Sequence, residues 1–240
     1  MATNTFLLVH GAWHGAWCWE KVIPHLRKDG YEVRAIDLPG HGSDRTPVSN
    51  VTMDAYTSRV CEALDSCNGQ VILVGHSMGG AVITQSGEYR PSKIKKLVYL
   101  TGFLLKNGQC LLDIANQDTG ALVMRNAMLD ERTNSLSFRR GSVREIFYSD
   151  CSDDDAHYAE SLLVPQAMAP FQTPMVTSEE KFGRIPRAYI ECLNDRAITP
   201  GAQKRMYEAL RCEKVISMKT GHSPFLSAPE ELAKNLLSIV

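Results

Sequence analysis

Three side chains far apart in the chain, Ser77, Asp195 and His222, are of the types that together make a hydrolytic relay. Ser77 lies in Gly75-His76-Ser77-Met78-Gly79-Gly80, preceded by the apolar run Val71-Ile72-Leu73-Val74 and followed by small and apolar residues at helical density. This pattern reads as strand, sharp turn, helix. Glycines two before and two after the serine leave room for the chain to fold back, so that the hydroxyl stands exposed at the carboxyl end of a strand. A serine hydroxyl attacks a carbonyl only when a neighbouring base takes its proton. That base in turn needs an acid that fixes its tautomer and stabilises the imidazolium formed.

His222 is the best placed of the seven histidines to act as that base, because in Lys219-Thr220-Gly221-His222-Ser223 it follows the last β-type run across a glycine turn. His10, His14 and His76 lie in turns close to the same region, where a structural hydrogen bond is a sufficient role; His25, His41 and His157 are expected at the surface or in loops. Asp195 follows the β-run Arg187–Cys192, whereas Thr101-Gly102-Phe103-Leu104, after another strand, holds no carboxylate and Glu191 falls within its strand. The competing role for Asp195 is an ion pair with Arg196. The chain order Ser, Asp, His is the one expected of a nucleophile in a strand-to-helix turn.

An oxyanion formed by attack on a carbonyl needs preorganised donors. The N–H of Met78, directly after the serine, is one. The N–H of Ala12, in the glycine turn His10-Gly11-Ala12-Trp13-His14-Gly15, is the other. Gly11 and Trp13 are expected to border the substrate, and Trp17 and Trp19 to be packing residues.

These groups require a scaffold that brings strand ends together. Strands are predicted at Thr5–Val9, Tyr31–Ile36, 71–74, Lys96–Leu100, Arg187–Cys192 and Lys214–Met218. Helices are predicted at Trp17–Lys28, from Thr52 onward with Met53, Tyr56, Val60 and Leu64 on one face, at Gly201–Leu210 and at Pro229–Ile239. The alternation implies an α/β fold with a mainly parallel, doubly wound sheet, whose binding groups collect beyond the carboxyl ends of the strands. Residues 103–182 break the rhythm. With helical patterns at Ala121–Leu129 and Asp153–Leu163 and no clear β-run, they predict a helical cap inserted in one domain spanning 1–240.

The formal net charge of −1 over 240 residues gives no electrostatic case for nucleic acid or an anionic membrane surface, and favours a small uncharged substrate. The amino terminus lacks a basic segment and a long apolar run, which predicts a cytoplasmic protein. Seven cysteines without a C-x-x-C pair predict reduced thiols rather than disulfides or zinc. Asp150, Asp153, Asp154 and Asp155 around Ser152 fit a helix N-cap with favourable dipole charge better than a metal site. The chemistry needs neither metal nor cofactor. Nothing in the sequence decides between a monomer and a homodimer.

Four blocks, His10 to Trp19 (HGAWHGAWCW), Gly75 to Gly80 (GHSMGG), Leu193 to Pro200 (LNDRAITP) and Thr220 to Leu232 (TGHSPFLSAPEEL), resemble the α/β-hydrolase superfamily. Within it they resemble the branch of plant methyl esterases, plant hydroxynitrile lyases and related small bacterial esterases. The resemblance implies an α/β-hydrolase fold and a Ser-His-Asp carboxylesterase working through an acyl-enzyme. The lyase subgroup has Thr where this chain has Gly11 and Lys where it has Ser223, so both departures argue against lyase chemistry. The Asp37 to Gly42 segment is closer to the bacterial members. The alternatives are a hydroxynitrile lyase and a non-catalytic small-ligand receptor on the same fold.

Overall fold

The computed structural model describes residues 5–139 and 141–240. Six strands form one parallel sheet: β1 (Thr5–Val9), β2 (Glu32–Ile36), β3 (Val71–His76), β4 (Ile94–Leu100), and, after the inserted segment, β8 (Arg187–Cys192) and β9 (Lys214–Met218), in the order β2-β1-β3-β4-β8-β9. The order reverses direction at β1, which places β3 in the interior with β1 on one side and β4 on the other. Every residue of β3 is buried. Its Val-Ile-Leu-Val run is apolar on both faces because helices cover both faces of a parallel sheet.

The helices bear out the spacing, with one correction. Helix α2 (Met53–Asp65) starts where Thr52 caps it, the side chain accepting the Ala55 N–H at 3.1 Å, and buries Met53, Tyr56, Val60 and Leu64. Helix α3 is Gly79–Tyr89, α9 is Pro200–Ala209, α10 is Pro224–Ser227 and α11 is Pro229–Leu237. The single helix expected over Trp17–Lys28 is instead a 3-10 turn, Ala16–Trp19, and a separate helix α1, Ile23–Lys28. Pro24 explains the break, since proline fits the first turn of a helix and disrupts an interior.

Residues 103–182 are not wholly helical as expected. Short helices α4 (Leu111–Gln117), α5 (Val123–Asn126), α6 (Val143–Phe147), α7 (Asp153–Leu162) and α8 (Ala169–Gln172) accompany a three-stranded antiparallel sheet of β5 (Ala127–Asp130), β6 (Ser135–Phe138) and β7 (Gln166–Ala167). The helix predicted at Ala121–Leu129 shrinks to one turn and passes into β5, which pairs with β6 from Ala127↔Phe138 to Asp130↔Ser135. Ser152 caps α7 as expected, accepting the Asp155 N–H. The acids beside it are engaged elsewhere: Asp150 accepts the Gly221 N–H at 2.7 Å, Asp153 pairs with Arg144 at 2.7 Å and Asp155 with Lys21 at 2.6 Å. Among the described residues no helix is long and apolar enough to cross a membrane.

Candidate active site

Ser77 occupies the turn between β3 and α3 with φ +52°, in the left-handed region that a non-glycine residue adopts at a cost. The surrounding backbone holds it there. Its N–H donates to Leu100 O at 3.2 Å, and its carbonyl accepts from Phe103 N at 3.0 Å and Gly80 N at 3.0 Å. The flanking glycines are required by close approach: a Cβ on Gly75 would fall 2.5 Å from Gly79 O, and one on Gly79 would fall 2.6 Å from His10 O. The sharp turn read from the sequence is therefore present, with the helix N-terminus immediately behind the serine.

Asp195 and His222 meet as predicted: His222 Nδ1 lies 2.7 Å from Asp195 Oδ2, with both side chains essentially removed from solvent. Burying a carboxylate requires compensation, and this one receives it from four donors. Oδ1 accepts Ala197 N–H at 2.7 Å and Ile198 N–H at 3.0 Å, while Oδ2 accepts Thr101 Oγ1–H at 2.5 Å in addition to the imidazole. Thr101, at the end of β4 with φ +37°, carries no feature that sequence spacing could flag. Arg196 does not pair with Asp195; it reaches Glu145 at 2.7 Å. Glu191 accepts from Tyr207 and Ser217, away from the imidazole. No hydrogen bond joins Ser77 Oγ to His222, but the His222 ring lies 4.6 Å from that of His76, the residue preceding Ser77.

Four other histidines, His10, His14, His41 and His76, are buried and make structural hydrogen bonds. His10 donates from Nδ1 to Gly11 O at 2.8 Å and accepts the Leu38 N–H on Nε2 at 3.0 Å. His14 Nδ1 lies 2.8 Å from Ala12 O, leaving Nε2 to accept from Tyr148 OH at 2.8 Å. Burial pushes both rings down to about 3, so they are neutral. His76 is likewise held well below the ordinary value by burial and the nearby His222; its Nε2 lies 2.9 Å from His222 O. His41 lies in a loop, one of the two placements expected for it, but not at the surface. It is buried beneath the inserted segment, with Nε2 3.1 Å from Gln166 Oε1 and Nδ1 3.1 Å from Pro39 O. His157 is exposed as expected, and His25 is half-buried.

Gly11 packs directly on the serine, since a Cβ there would fall 2.8 Å from Ser77 Cβ. Next to it, Ala12 and Met78 line the same cleft as Ser77, and among the described residues neither backbone N–H donates to a protein oxygen. Trp13, at φ +63°, lines the cleft too; its Nε1 donates to Leu136 O at 2.9 Å and its ring packs against Phe138, Phe147 and Phe171. Trp19 is fully buried and Trp17 partly so, both as packing residues. The cleft encloses about 570 Å³ of empty space, part of it open to solvent, and its wall is apolar apart from Ser77 and Asp118. Residues 111–124 of the inserted segment form one side of it, which sequence periodicity alone did not indicate.

The chain is 35% identical to the pyrethroid hydrolase of Sphingobium wenxiniae over 98% of its own length and 86% of that protein. It is 31% identical to salicylic acid-binding protein 2 of Nicotiana tabacum, covering 98% of this chain and 96% of that one. The crystal structure of polyneuridine aldehyde esterase superposes with a TM-score of 0.90 at 27% identity, covering 99% of each chain. Other Arabidopsis thaliana relatives, 34% identical, are longer, and this chain spans 64% of one and 56% of another. Residues 6–235 match the alpha/beta hydrolase family, and the chain belongs to it.

Proposed function

We propose that the protein is a cofactor-free serine carboxylesterase acting on small, uncharged esters, with Ser77, His222 and Asp195 as its triad. One observation carries the reading: a serine held at φ +52° between strand and helix, opening on the same apolar cleft as two free backbone donors, beside a buried Asp195–His222 pair at 2.7 Å. The names hydrolase and esterase among the relatives support the same chemistry.

His222, with Nδ1–H fixed on Asp195, presents Nε2 as the base. It takes the Ser77 proton as Oγ bonds to the ester carbonyl carbon, and the carbonyl π electrons move to oxygen. The Ala12 and Met78 N–H groups receive that oxyanion, helped by the positive end of α3. Collapse of the intermediate breaks the C–O bond to the alcohol, which leaves with the proton from His222. Water then repeats the sequence on the acyl-enzyme and releases the acid. The Ser77–His222 hydrogen bond closes when substrate is bound, as catalytic contacts commonly tighten only in the complex. Gly11 supports this chemistry over cyanohydrin cleavage, because the serine leaves no room there for a threonine side chain.

Ser77→Ala should abolish hydrolysis of a short p-nitrophenyl ester while leaving the fold intact by circular dichroism. Retained turnover would overturn the assignment.

A further inference from the structure

The wall of the cleft contains a single ionisable side chain among the described residues, Asp118, and no Arg, Lys or His lines it. Asp118 is only 7% exposed, and both its oxygens accept hydrogen bonds from one residue: Oδ2 from Thr199 N–H at 2.8 Å and Oδ1 from Thr199 Oγ1–H at 2.6 Å. Two acceptor oxygens with no donor between them is the pattern of an ionised carboxylate. Thr199 in turn caps α9, accepting the Ala202 N–H at 3.3 Å, so the carboxylate is fixed in direction. Asp118 also stands at the C-terminal end of α4, where the unsatisfied carbonyls add partial charge of the same sign. Two arginines beside lining residues in the chain, Arg125 and Arg196, are engaged outside the lining. The Arg125 guanidinium is exposed and held on the Thr119 carbonyl, and Arg196 pairs with Glu145.

We propose that Asp118 is a specificity-determining residue that makes the cleft select by charge: esters with uncharged flanks enter, and substrates bearing a carboxylate are turned away. This deepens the esterase reading above and rests on it. An incoming carboxylate would lose its hydration in an apolar cleft that offers no cation, and would face a fixed negative charge at reduced dielectric. The same field acts on the product. Hydrolysis converts a neutral ester into a carboxylate inside the cleft, and the fixed charge drives that product out.

The test compares methyl isocaproate with monomethyl succinate, which has the same shape but ends in a carboxylate in place of the isopropyl group. Acid release at neutral pH should favour the isocaproate by about a hundredfold or more in kcat/KM, the scale set by an unpaired buried charge. Asp118→Asn should narrow that ratio by about tenfold, whereas Thr199→Val, which keeps the charge and loses one of its partners, should leave the ratio within about threefold. A second measurement needs neither turnover nor an Asp118 variant. In Ser77→Ala, quenching of tryptophan fluorescence should show isocaproamide binding at least about tenfold tighter than the isocaproate anion. Equal handling of the charged and neutral esters, an unchanged ratio in Asp118→Asn, or equal binding of amide and anion would overturn the proposal. Absence of any ester hydrolysis alongside a preserved preference for the amide would instead remove the esterase reading and leave the charge selectivity standing.

Discussion

Thr101 donates its hydroxyl proton to Asp195 Oδ2 at 2.5 Å, on the oxygen that also receives the His222 imidazole at 2.7 Å. A threonine at φ +37° is not a relaxed residue, and its position is enforced by Thr101 N–H donating to Ile190 O at 2.8 Å as β4 runs out beside β8. The strand ends therefore place a hydroxyl where the acid needs directing. Thr101→Val should lower kcat by about ten- to a hundredfold, the scale of one hydrogen bond to a charged group. Thr101→Ser, which keeps the hydroxyl, should restore most of it. Steady-state kinetics on the three proteins checks this; equal kcat in all three would show that the contact has no bearing on the reaction.

The backbone at Ser77 stores strain that glycine would not feel. Ser77→Gly should raise the unfolding free energy by about 1 kcal/mol, since glycine occupies the left-handed region without a Cβ penalty, and should eliminate ester hydrolysis. Thermal unfolding of the variant beside the wild type measures the gain. A lower melting temperature would mean that the serine side chain contributes more to the fold than its strained conformation costs.

Much of this arrangement was legible in the sequence because local pattern and tertiary role agree. Thr5–Val9 and Val71–Val74 are interior strands whose apolar runs match burial on both faces, and the glycine at position 75 answers to a contact within its own turn. What was not legible depends on partners far away in the chain. His41 lies in a Pro-Gly-His-Gly stretch that resembles a solvent turn, and its burial comes from Gln166, 125 residues later. Strands β5 (Ala-Met-Leu-Asp) and β6 (Ser-Leu-Ser-Phe) are four residues each, and β5 is mostly exposed. Ala, Met and Leu favour helix on their own, so only the cross-strand pairing decides against it. Thr101 is invisible for the same reason, because its role exists only once β4 and β8 are adjacent.

Neutral buried histidines set an acid limit on stability. His10 and His14 are held at about 3 in the folded protein against about 6.5 when unfolded. Because these folded values are depressed, the unfolded chain binds more protons below pH 6.5. Stability is full above that pH and falls as pH drops from 6.5 toward 3. At pH 5 each of the two should cost about 2 kcal/mol, and His76, shifted in the same direction, adds to the loss. Calorimetric unfolding at pH 5 in buffers of different ionisation enthalpy should show an uptake of at least about two protons. No uptake would contradict the neutral assignment.

Gly11 is fixed by its contact with the serine. A Cβ there would fall 2.8 Å from Ser77 Cβ and 2.9 Å from His76 Nδ1, and neither neighbour has room to retreat within the backbone-pinned turn. Gly11→Ala should destabilise the protein by about 1–3 kcal/mol through overpacking and lower kcat by displacing the nucleophile. Melting temperature and kcat measured together check this, and an alanine variant equal to wild type in both would refute it.

Esterase chemistry at this site requires the Ser77 hydroxyl to be the nucleophile that His222 activates. Its most direct measurement is the mass of the intact protein and of its peptides after reaction with a fluorophosphonate at neutral pH. One adduct per chain is expected, located on Ser77 in the wild type and missing from both Ser77→Ala and His222→Ala. An adduct on another residue, or undiminished labelling of either variant, would contradict it.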